Sequence, residues 1–149
     1  MRRREILGYA GRVAGLQALG GVAMTAHAQS VGVSDNRILL GQSAPFSGAA
    51  EQLGLQFHLG AQLYFEALNQ KGGVNGRRIE LTRLDDGYEP ERCAANTRQL
   101  ISDGVFALFG YIGTPTSVAA LPLATTAQVP FVAPFTGAMG LRQPFNRMA

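Results

Sequence analysis

A loop rich in glycine and hydroxyl side chains follows a short apolar run and has the composition of a polar ligand site. It reads GYIGTPTS over residues 110–117. Its glycines allow a close backbone approach, and a helix that begins at Pro115 would aim unpaired N–H groups and a partial positive charge at the loop. The hydroxyls of Thr114, Thr116 and Ser117 would add donors. The loop therefore predicts a pocket for a carboxylate or another compact polar group.

A second interpretation of this loop is purely structural. Thr114 is well placed as the N-cap of the helix, because a threonine hydroxyl can accept a hydrogen bond from a first-turn N–H group. In that case Thr116 and Ser117 face water and bind no ligand. The loop by itself leaves both interpretations open.

Side chains that could support catalysis or bind a metal are few beyond residue 28. His58 is the only histidine there and lies outside any nucleophile motif, so we expect a surface position on a helix. Cys93 is the only cysteine, which excludes an internal disulfide and a multi-thiolate metal site. Asp85 and Asp86 lack the alternating oxygen ligands of a calcium loop and are expected to form a solvated strand end. No catalytic residue, metal site or cofactor is expected, and we predict that the protein is not an enzyme.

The motifs and the charge distribution argue against partners that carry phosphate groups. The first strand does not end in a G-x-G-x-x-G turn, and the chain has no G-x-x-x-x-G-K-[ST] loop. The net charge of +3 comes from the first 28 residues, which hold four arginines and one glutamate, so the remaining basic and acidic side chains balance. A neutral body cannot supply the phosphate neutralisation that dominates nucleic-acid binding. No nucleic-acid partner is expected.

The first 28 residues have the features of an export signal. A basic start is followed by a glycine- and alanine-rich apolar segment and by Ala26-His27-Ala28, a cleavage site of the small-x-small type. Arg3 and Arg4, followed by Glu-Ile-Leu, resemble the twin-arginine pattern. We predict cleavage after Ala28, a mature chain of residues 29–149 and a periplasmic location.

Beyond this signal, short apolar runs alternate with segments of helical periodicity. The alternation predicts an α/β fold with an open parallel sheet and helices on both faces. Because ligands of such sheets bind at the carboxyl ends of the strands, the exit loops at residues 43–48, 110–114 and 134–138 should meet at one edge. The first helix should bury a stripe that includes Leu53 and Tyr64, and Pro122 should kink or divide the third. The predicted strands are residues 37–42, 79–84, 105–109 and 131–133, and the predicted helices are residues 53–68, 90–103 and 115–128.

Five tracts of the chain resemble the first lobe of the leucine/isoleucine/valine-type periplasmic solute-binding proteins of ABC transporters. The similarity extends from about Ile38 to Arg142. It implies that residues 29–149 form an incomplete first lobe of a two-lobed fold, without the second lobe that closes over a ligand. The tracts are GQSAPFSG at residues 41–48, NQKGGVNGR at residues 69–77, the pair Asp85-Asp86, GYIGT at residues 110–114 and VPFVAP at residues 129–134.

The resemblance also implies a set of ligand-binding residues. Thr114 would hold a ligand carboxylate, and the loop after the fourth strand would contribute backbone groups and a hydroxyl. Phe135 and Gly137 differ from the small and hydroxyl residues expected of branched-chain binders, so an amino acid, an amide or an aromatic acid all remain candidate solutes. The predicted site residues are Ser47 at the mouth, Tyr111 in the pocket wall, Thr114, Phe135, Thr136 and Gly137.

The function that the resemblance implies is solute capture. Such a protein would bind a small solute in the periplasm and deliver it to the membrane permease of an ABC transporter. A ligand-sensing receptor or regulator built on the same lobe is the alternative, since the sequence discriminates weakly between the two.

Overall fold

A parallel β-sheet with three α-helices organises residues 30–149, the part of the chain that the computed structural model describes. Residues 1–29, which contain the predicted export signal and its cleavage site, lie outside the described residues. No helix within residues 30–149 has the length and apolar character needed to cross a membrane. The elements are β1 (Arg37–Ala44), α1 (Glu51–Gln70), β2 (Arg78–Asp85), α2 (Pro90–Ser102), β3 (Ala107–Phe109), α3 (Thr114–Ala127), β4 (Phe131–Val132) and a short 3-10 helix (Met139–Leu141).

The predicted order of elements is confirmed, and the differences lie at their ends. β1 continues to Ala44, because its pairing with β2 runs without a break until Ala44 lies opposite Asp85. β3 begins later than predicted, at Ala107. α2 begins at Pro90 as predicted, where the missing proline N–H removes no helical hydrogen bond. Pro122 lies inside α3, and the helix continues through it as one element instead of being divided.

The sheet has the strand order β2-β1-β3-β4, and all pairings are parallel. The chain therefore reverses its direction of winding between β1 and β3, the position where open α/β sheets bind ligands. Gly41 of β1 lies against Leu100 of α2, whereas Gln42 bonds to His58 of α1. Since adjacent residues of a strand point to opposite faces, α1 and α2 lie on opposite sides of the sheet. The prediction of helices on both faces is confirmed.

The hydrophobic core lies between the sheet and the packed pair of α2 and α3. The ring of Tyr111 meets that of Phe131 edge-on, with centroids 4.9 Å apart. Burial of this apolar surface is the main favourable term for folding of the described residues. The buried members are Cys93, Leu100, Val105, Leu108, Tyr111, Ala120, Ala124, Phe131, Ala138 and Leu141.

Helix α1 covers the opposite face through a different line of residues from the one predicted. Its buried residues are Gly54 and His58, whereas Tyr64 is 68% exposed and Leu53 is also exposed. The predictions of a buried stripe through Leu53 and Tyr64 and of a surface position for His58 are wrong. The cause is a close approach, because a Cβ on Gly54 would lie 1.8 Å from the carbonyl oxygen of Pro45. Glycine brings this side of the helix against the sheet, and His58 follows one turn later.

Candidate functional site

The loops that leave β3 and β4 are joined by backbone hydrogen bonds at one edge of the sheet. The Phe135 N–H donates to the Tyr111 carbonyl over 2.7 Å, and the Gly113 N–H donates to the Phe135 carbonyl over 3.2 Å. The end of β1 is attached to the same edge, because the Gln42 side-chain amide donates to the Gly110 carbonyl over 3.0 Å. The expected meeting is confirmed for the loops at residues 110–114 and 134–138, which Gln42 of β1 also joins. The loop at residues 43–48 is bonded to the end of β2.

Two threonine hydroxyls from different loops meet at this edge. The Oγ1 atoms of Thr114 and Thr136 are 2.7 Å apart, and the Ala138 N–H donates to Thr136 Oγ1 over 3.1 Å. The Thr114 side chain is exposed and Thr136 is half-buried, so the pair is accessible to a ligand. Thr114 is the first residue of α3, which places both hydroxyls beside the first-turn N–H groups of the helix.

The start of α3 differs from the predicted cap. Gly113 is the N-cap residue, and no side chain caps the helix. The Thr114 hydroxyl bonds to Thr136 instead of to a first-turn N–H group. The structure therefore contradicts the cap interpretation of Thr114 and leaves its hydroxyl at the edge of the sheet.

Thr116 and Ser117 do not contribute to this edge. Both side chains are fully buried, so neither faces water, and neither is presented to a ligand. The Thr116 hydroxyl donates to the Ile112 carbonyl over 2.5 Å and thereby attaches the loop to the first turn of α3. The Ser117 hydroxyl has no hydrogen-bond partner within residues 30–149. Of the three hydroxyls predicted as donors in this loop, Thr114 is the exposed one.

Tyr88 lies at this edge, although no motif pointed to it. A Cβ on Gly113 would lie 2.5 Å from Cε2 of the Tyr88 ring, so the glycine lets the ring lie directly against the loop. Gly113 also has a φ of 100°, a conformation that glycine adopts readily. The Tyr88 side chain is 40% exposed and borders the residue before Thr114. The signal in the sequence was an aromatic residue in the loop after the second strand, at the carboxyl end of the sheet.

Ser47, the predicted residue of the mouth, is anchored by Asp85 at the end of β2. The Ser47 hydroxyl donates to Asp85 over 2.6 Å, and the backbone N–H groups of Phe46 and Gly87 donate over 2.8 and 2.9 Å. Arg92 adds an ion pair at 3.0 Å. Desolvation raises the pKa of the Asp85 carboxyl, but these hydrogen bonds outweigh it and lower the pKa to about 2. Asp85 holds the Ser47 loop in place, and its side chain is still 32% exposed, so the predicted solvated strand end is correct in part for this residue.

Asp86 is fully buried, so the predicted solvated strand end is wrong for this residue. The Ser43 hydroxyl donates to Asp86 over 2.7 Å, and the Tyr88 N–H donates to it over 2.9 Å. Burial raises the pKa of the Asp86 carboxyl, which is the opposite direction from Asp85. Burial also raises the pKa of the nearby Cys93 thiol to about 12, so this cysteine is a neutral core side chain.

The remaining predicted site residues separate into one buried ring and two surface positions. Tyr111 is fully buried with its hydroxyl 3.1 Å from Thr97 Oγ1, so the structure contradicts a pocket-lining role for its ring. Burial raises the pKa of its hydroxyl. Phe135 is 54% exposed, and Gly137 is exposed on the same loop as Thr136. These two positions remain available to a ligand at the edge.

The arrangement is suited to binding a small polar group through hydrogen bonds. It combines two hydroxyls, the start of a helix and exposed aromatic surface from Tyr88 and Phe135. Within residues 30–149, no group of three or more histidine, cysteine or acidic side chains is arranged to hold a metal ion. The chemistry available at this edge is that of recognition by hydrogen-bond donors.

A sequence model of the periplasmic binding protein family matches residues 37–146. This span contains all four strands, the three helices and the edge with the two threonines. The chain belongs to the periplasmic binding protein family.

Comparison with individual proteins supports the same fold. Leu/Ile/Val-binding protein homolog 2 of Brucella abortus (strain 2308) is 28% identical over 116 residues, which are 78% of this chain and 31% of that protein. The crystal structure of a possible leucine/isoleucine/valine-binding protein from Rhodopirellula baltica SH 1 has a TM-score of 0.70 and 36% identity, covering 78% of this chain and 31% of that one. A fatty acid ABC transporter substrate-binding protein from Thermomonospora curvata has a TM-score of 0.64 and 33% identity, covering 68% and 26%.

The chain spans less than a third of the length of each of these relatives. That share fits the predicted first lobe of a two-lobed protein. The expected fold, a parallel α/β lobe of the periplasmic binding type, is confirmed.

Proposed function

We propose that the chain forms part of the substrate-binding component of an ABC transporter and grips one polar end of a small solute. The observation that carries the proposal is the exposed Thr114–Thr136 hydroxyl pair, 2.7 Å apart, at the start of α3. The hydroxyls follow the adjacent strands β3 and β4, and β3 borders the point where the winding of the sheet reverses. A binding role without catalysis accounts for all of these features.

The chemistry of the edge favours a carboxylate as the gripped group. Hydroxyl and amide donors at a helix N-terminus stabilise negative charge, because the partial charge of the helix end is positive. The named ligands of the relatives, branched-chain amino acids and fatty acids, share a carboxylate and an apolar body. The exposed ring of Phe135, next to Thr136, is placed to contact an apolar body. An aromatic acid satisfies the same two requirements, whereas an amide would offer the hydroxyls a neutral carbonyl oxygen.

The cellular setting belongs to the same proposal. Export by the predicted signal at residues 1–28 would deliver the protein to the periplasm, and a membrane permease would receive the solute from it. The partner is inferred from the family, in which solute-binding proteins operate with transporters. No nucleic-acid partner and no cofactor form part of this proposal.

Replacement of Thr114 by valine tests the grip. We titrate the chain with hexanoate, L-leucine and L-leucinamide and follow the amide NMR signals of residues 110–117 and 134–138. Valine keeps the shape of threonine and removes the hydroxyl, so we expect a loss of affinity of about threefold to tenfold for the two carboxylates. This loss is smaller than for a buried hydrogen bond to a charged group, because the edge is open to water.

A matched control lies at the other end of the same helix. Thr125→Val makes the same chemical change at an exposed residue and should leave affinity unchanged. Equal losses for the two variants, or binding of all three compounds without signal changes at Thr114 and Thr136, would contradict the proposed grip. Stronger binding of leucinamide than of leucine would reassign the solute from a carboxylate to an amide.

A further inference from the structure

A continuous chain of hydrogen bonds connects helix α1 to the loop that carries Thr114. His58 of α1 lies with its Nδ1 atom 2.7 Å from Oε1 of Gln42 on β1. The Nε2 group of the same glutamine donates to the Gly110 carbonyl over 3.0 Å. His58 and Gln42 are both buried, at 4% and 0% exposure, so water does not compete for these bonds. Neither residue belongs to the candidate site itself.

The direction of each hydrogen bond in this chain is set by the Gly110 carbonyl. A carbonyl oxygen can only accept, so the Gln42 amide must present its N–H group to Gly110 and its oxygen to His58. The Nδ1 atom of His58 must then carry a proton and donate it. The geometry therefore selects one tautomer of neutral His58, with the proton on Nδ1 and the lone pair on Nε2.

The surroundings of His58 favour this neutral form. Desolvation by burial lowers the pKa of the imidazole, and the positive charge of Arg83 lowers it further. The ring of Phe46 stands edge-on to the imidazole at a centroid distance of 5.5 Å, and Arg83 lies 5.0 Å above that phenyl ring. The imidazole is therefore enclosed by groups that disfavour a second proton.

Gly110 is the residue through which the hydrogen bonds from His58 and Gln42 reach the loop. Its φ is 66°, and a Cβ there would lie 2.5 Å from the Phe57 ring and 3.0 Å from Gln42 Nε2, so the backbone fits only as glycine. Its N–H donates to the Val132 carbonyl over 3.0 Å, and its carbonyl accepts from Gln42. Both backbone polar groups of Gly110, its N–H and its carbonyl, are hydrogen-bonded, which fixes the direction in which the polypeptide leaves β3.

We propose that His58 is a positioning residue for the ligand-gripping loop, holding the Gly110 carbonyl through the Gln42 amide and thereby orienting Thr114. The inference rests on the proposed function of Thr114 as the gripping residue. It extends that function to a buried histidine on α1, a helix that contributes no residue to the candidate site. Loss of the Nδ1 donor frees the Gln42 amide to rotate and releases one end of the loop.

Two substitutions separate positioning from simple filling of space. In His58→Asn, the side-chain amide nitrogen occupies nearly the place of Nδ1 and can donate to Gln42. In His58→Leu, a similar volume is retained without any donor. If His58 only fills space, the leucine variant should be closer to the parent protein than the asparagine variant. If His58 positions the loop as a donor, the asparagine variant should be the closer one. Leu100→Val, on the other face of the sheet, is the control for a general loss of stability.

Three readouts on the 149-residue chain decide the matter. Nitrogen-15 NMR of the unliganded protein should show His58 as the Nδ1–H tautomer. Amide hydrogen exchange at Gly113 should be about tenfold faster in His58→Leu than in His58→Asn, because the loop opens locally when its tether is lost. The affinity for hexanoate should stay within about twofold in His58→Asn and fall about fivefold in His58→Leu.

The outcomes distinguish this inference from the proposed function. An Nε2–H tautomer overturns the positioning role without any variant, so the test survives if His58→Leu fails to fold. Equal exchange rates and affinities in the asparagine and leucine variants also overturn it. If the parent protein binds none of the compounds, the proposed function fails, and the tautomer and exchange measurements still decide whether His58 holds the loop.

Discussion

The two faces of the sheet are held by different kinds of contact. On the face covered by α2 and α3, most contacts are apolar, and side chains such as Leu100 and Leu108 are fully buried. Polar contacts of α2 with the ends of β1 and β2, such as Asn96 with Ser43, lie at the carboxyl edge of this face. On the face covered by α1, apolar side chains remain at the surface, with Leu63 60% exposed. The rings of Phe57, Phe65 and Phe109 border an open groove beside this helix.

Besides the ring contacts of Phe57 and Phe65 with Phe109, helix α1 is attached to the sheet and its exit loop at three separate points. Two are hydrogen-bonded, and the one at Asn69 has two bonds because its amide both donates to and accepts from the backbone of Ile79, over 2.9 and 2.8 Å. The third is a direct contact between a helix glycine and a loop carbonyl. Such contacts fix a position without burying much apolar surface. The attachments are Gly54 against Pro45, His58 with Gln42, and Asn69 with Ile79.

The α2 and α3 face therefore combines most of the apolar burial with polar anchors such as Arg92 on Asp85, whereas the α1 face is attached mainly by directed contacts. The α2 and α3 face supplies the apolar burial that drives folding. The α1 face supplies two directed contacts near the loops around the candidate site, those of Gly54 and His58. The third, from Asn69, lies at the start of β2 and therefore at the opposite end of the sheet. Substitutions on the first face should therefore change the free energy of unfolding most, and those on the second should change geometry.

Truncation of one core leucine should have the largest effect. We expect Leu100→Ala to lower the free energy of unfolding by about 2–5 kcal/mol, because it leaves a cavity in the buried face. Leu63→Ala on the exposed side of α1 removes the same atoms and should change it by less than about 0.5 kcal/mol. Urea denaturation followed by circular dichroism measures both. Similar losses of unfolding free energy for the two variants would show that the side chains on the α1 face are also buried in solution.

The glycines of α1 provide the next test of the comparison. A Cβ at Gly54 collides with the Pro45 carbonyl, so Gly54→Ala should lower stability by about 1–3 kcal/mol and shift the NMR signals of the Ser47 loop. Gly60→Ala has open space around the new methyl group and should raise stability by about 0.5–1 kcal/mol through helix propensity. A stable Gly54→Ala variant with unchanged loop signals would contradict the close attachment of α1.

The pH dependence of Asp85 should be the smallest effect and the most specific. Its folded pKa of about 2 lies below the ordinary value of 3.8, so its stabilising contribution is present above about pH 4 and is lost as the pH falls through 2. The stability difference between the parent and Asp85→Asn should therefore shrink over that interval. Glu66→Gln, at an exposed carboxyl of α1, is the control. If this stability difference stays constant down to pH 2, the Asp85 carboxylate does not anchor Ser47.

Local sequence patterns were sufficient for most of the fold. Pro90 and the glycines around residue 72 mark helix ends by backbone chemistry alone, and the apolar run before Gly110 identifies a buried strand. The orientation of α1 was not predictable in this way. Periodicity finds an apolar stripe through Tyr64, but the side that faces the sheet is decided by how closely Gly54 can approach Pro45, which is a tertiary contact.

The candidate site was predictable where a single loop carries the chemistry and not where distant residues meet. The glycine- and hydroxyl-rich turn after the third strand indicates Thr114, whereas Thr136 was predicted only from the resemblance to periplasmic solute-binding proteins. The burial of Asp86 depends on the register that pairs Ala44 with Asp85, since it brings Ser43 within 2.7 Å of the carboxyl. A register between segments about 40 residues apart leaves no local mark in composition or spacing, and the two aspartates therefore looked solvated.

The threonine pair has a consequence that follows from counting its protons. Thr136 Oγ1 already accepts from the Ala138 N–H, and one of the two threonine protons lies between the paired oxygens. Whichever hydroxyl donates within the pair, the other proton is free to rotate outward. The pair therefore acts toward a solute as a single neutral O–H donor whose origin can alternate between two oxygens. If the pair binds a solute as proposed, its outward O–H would select the end of the solute that is rich in lone pairs, and the remaining atoms would lie toward Phe135.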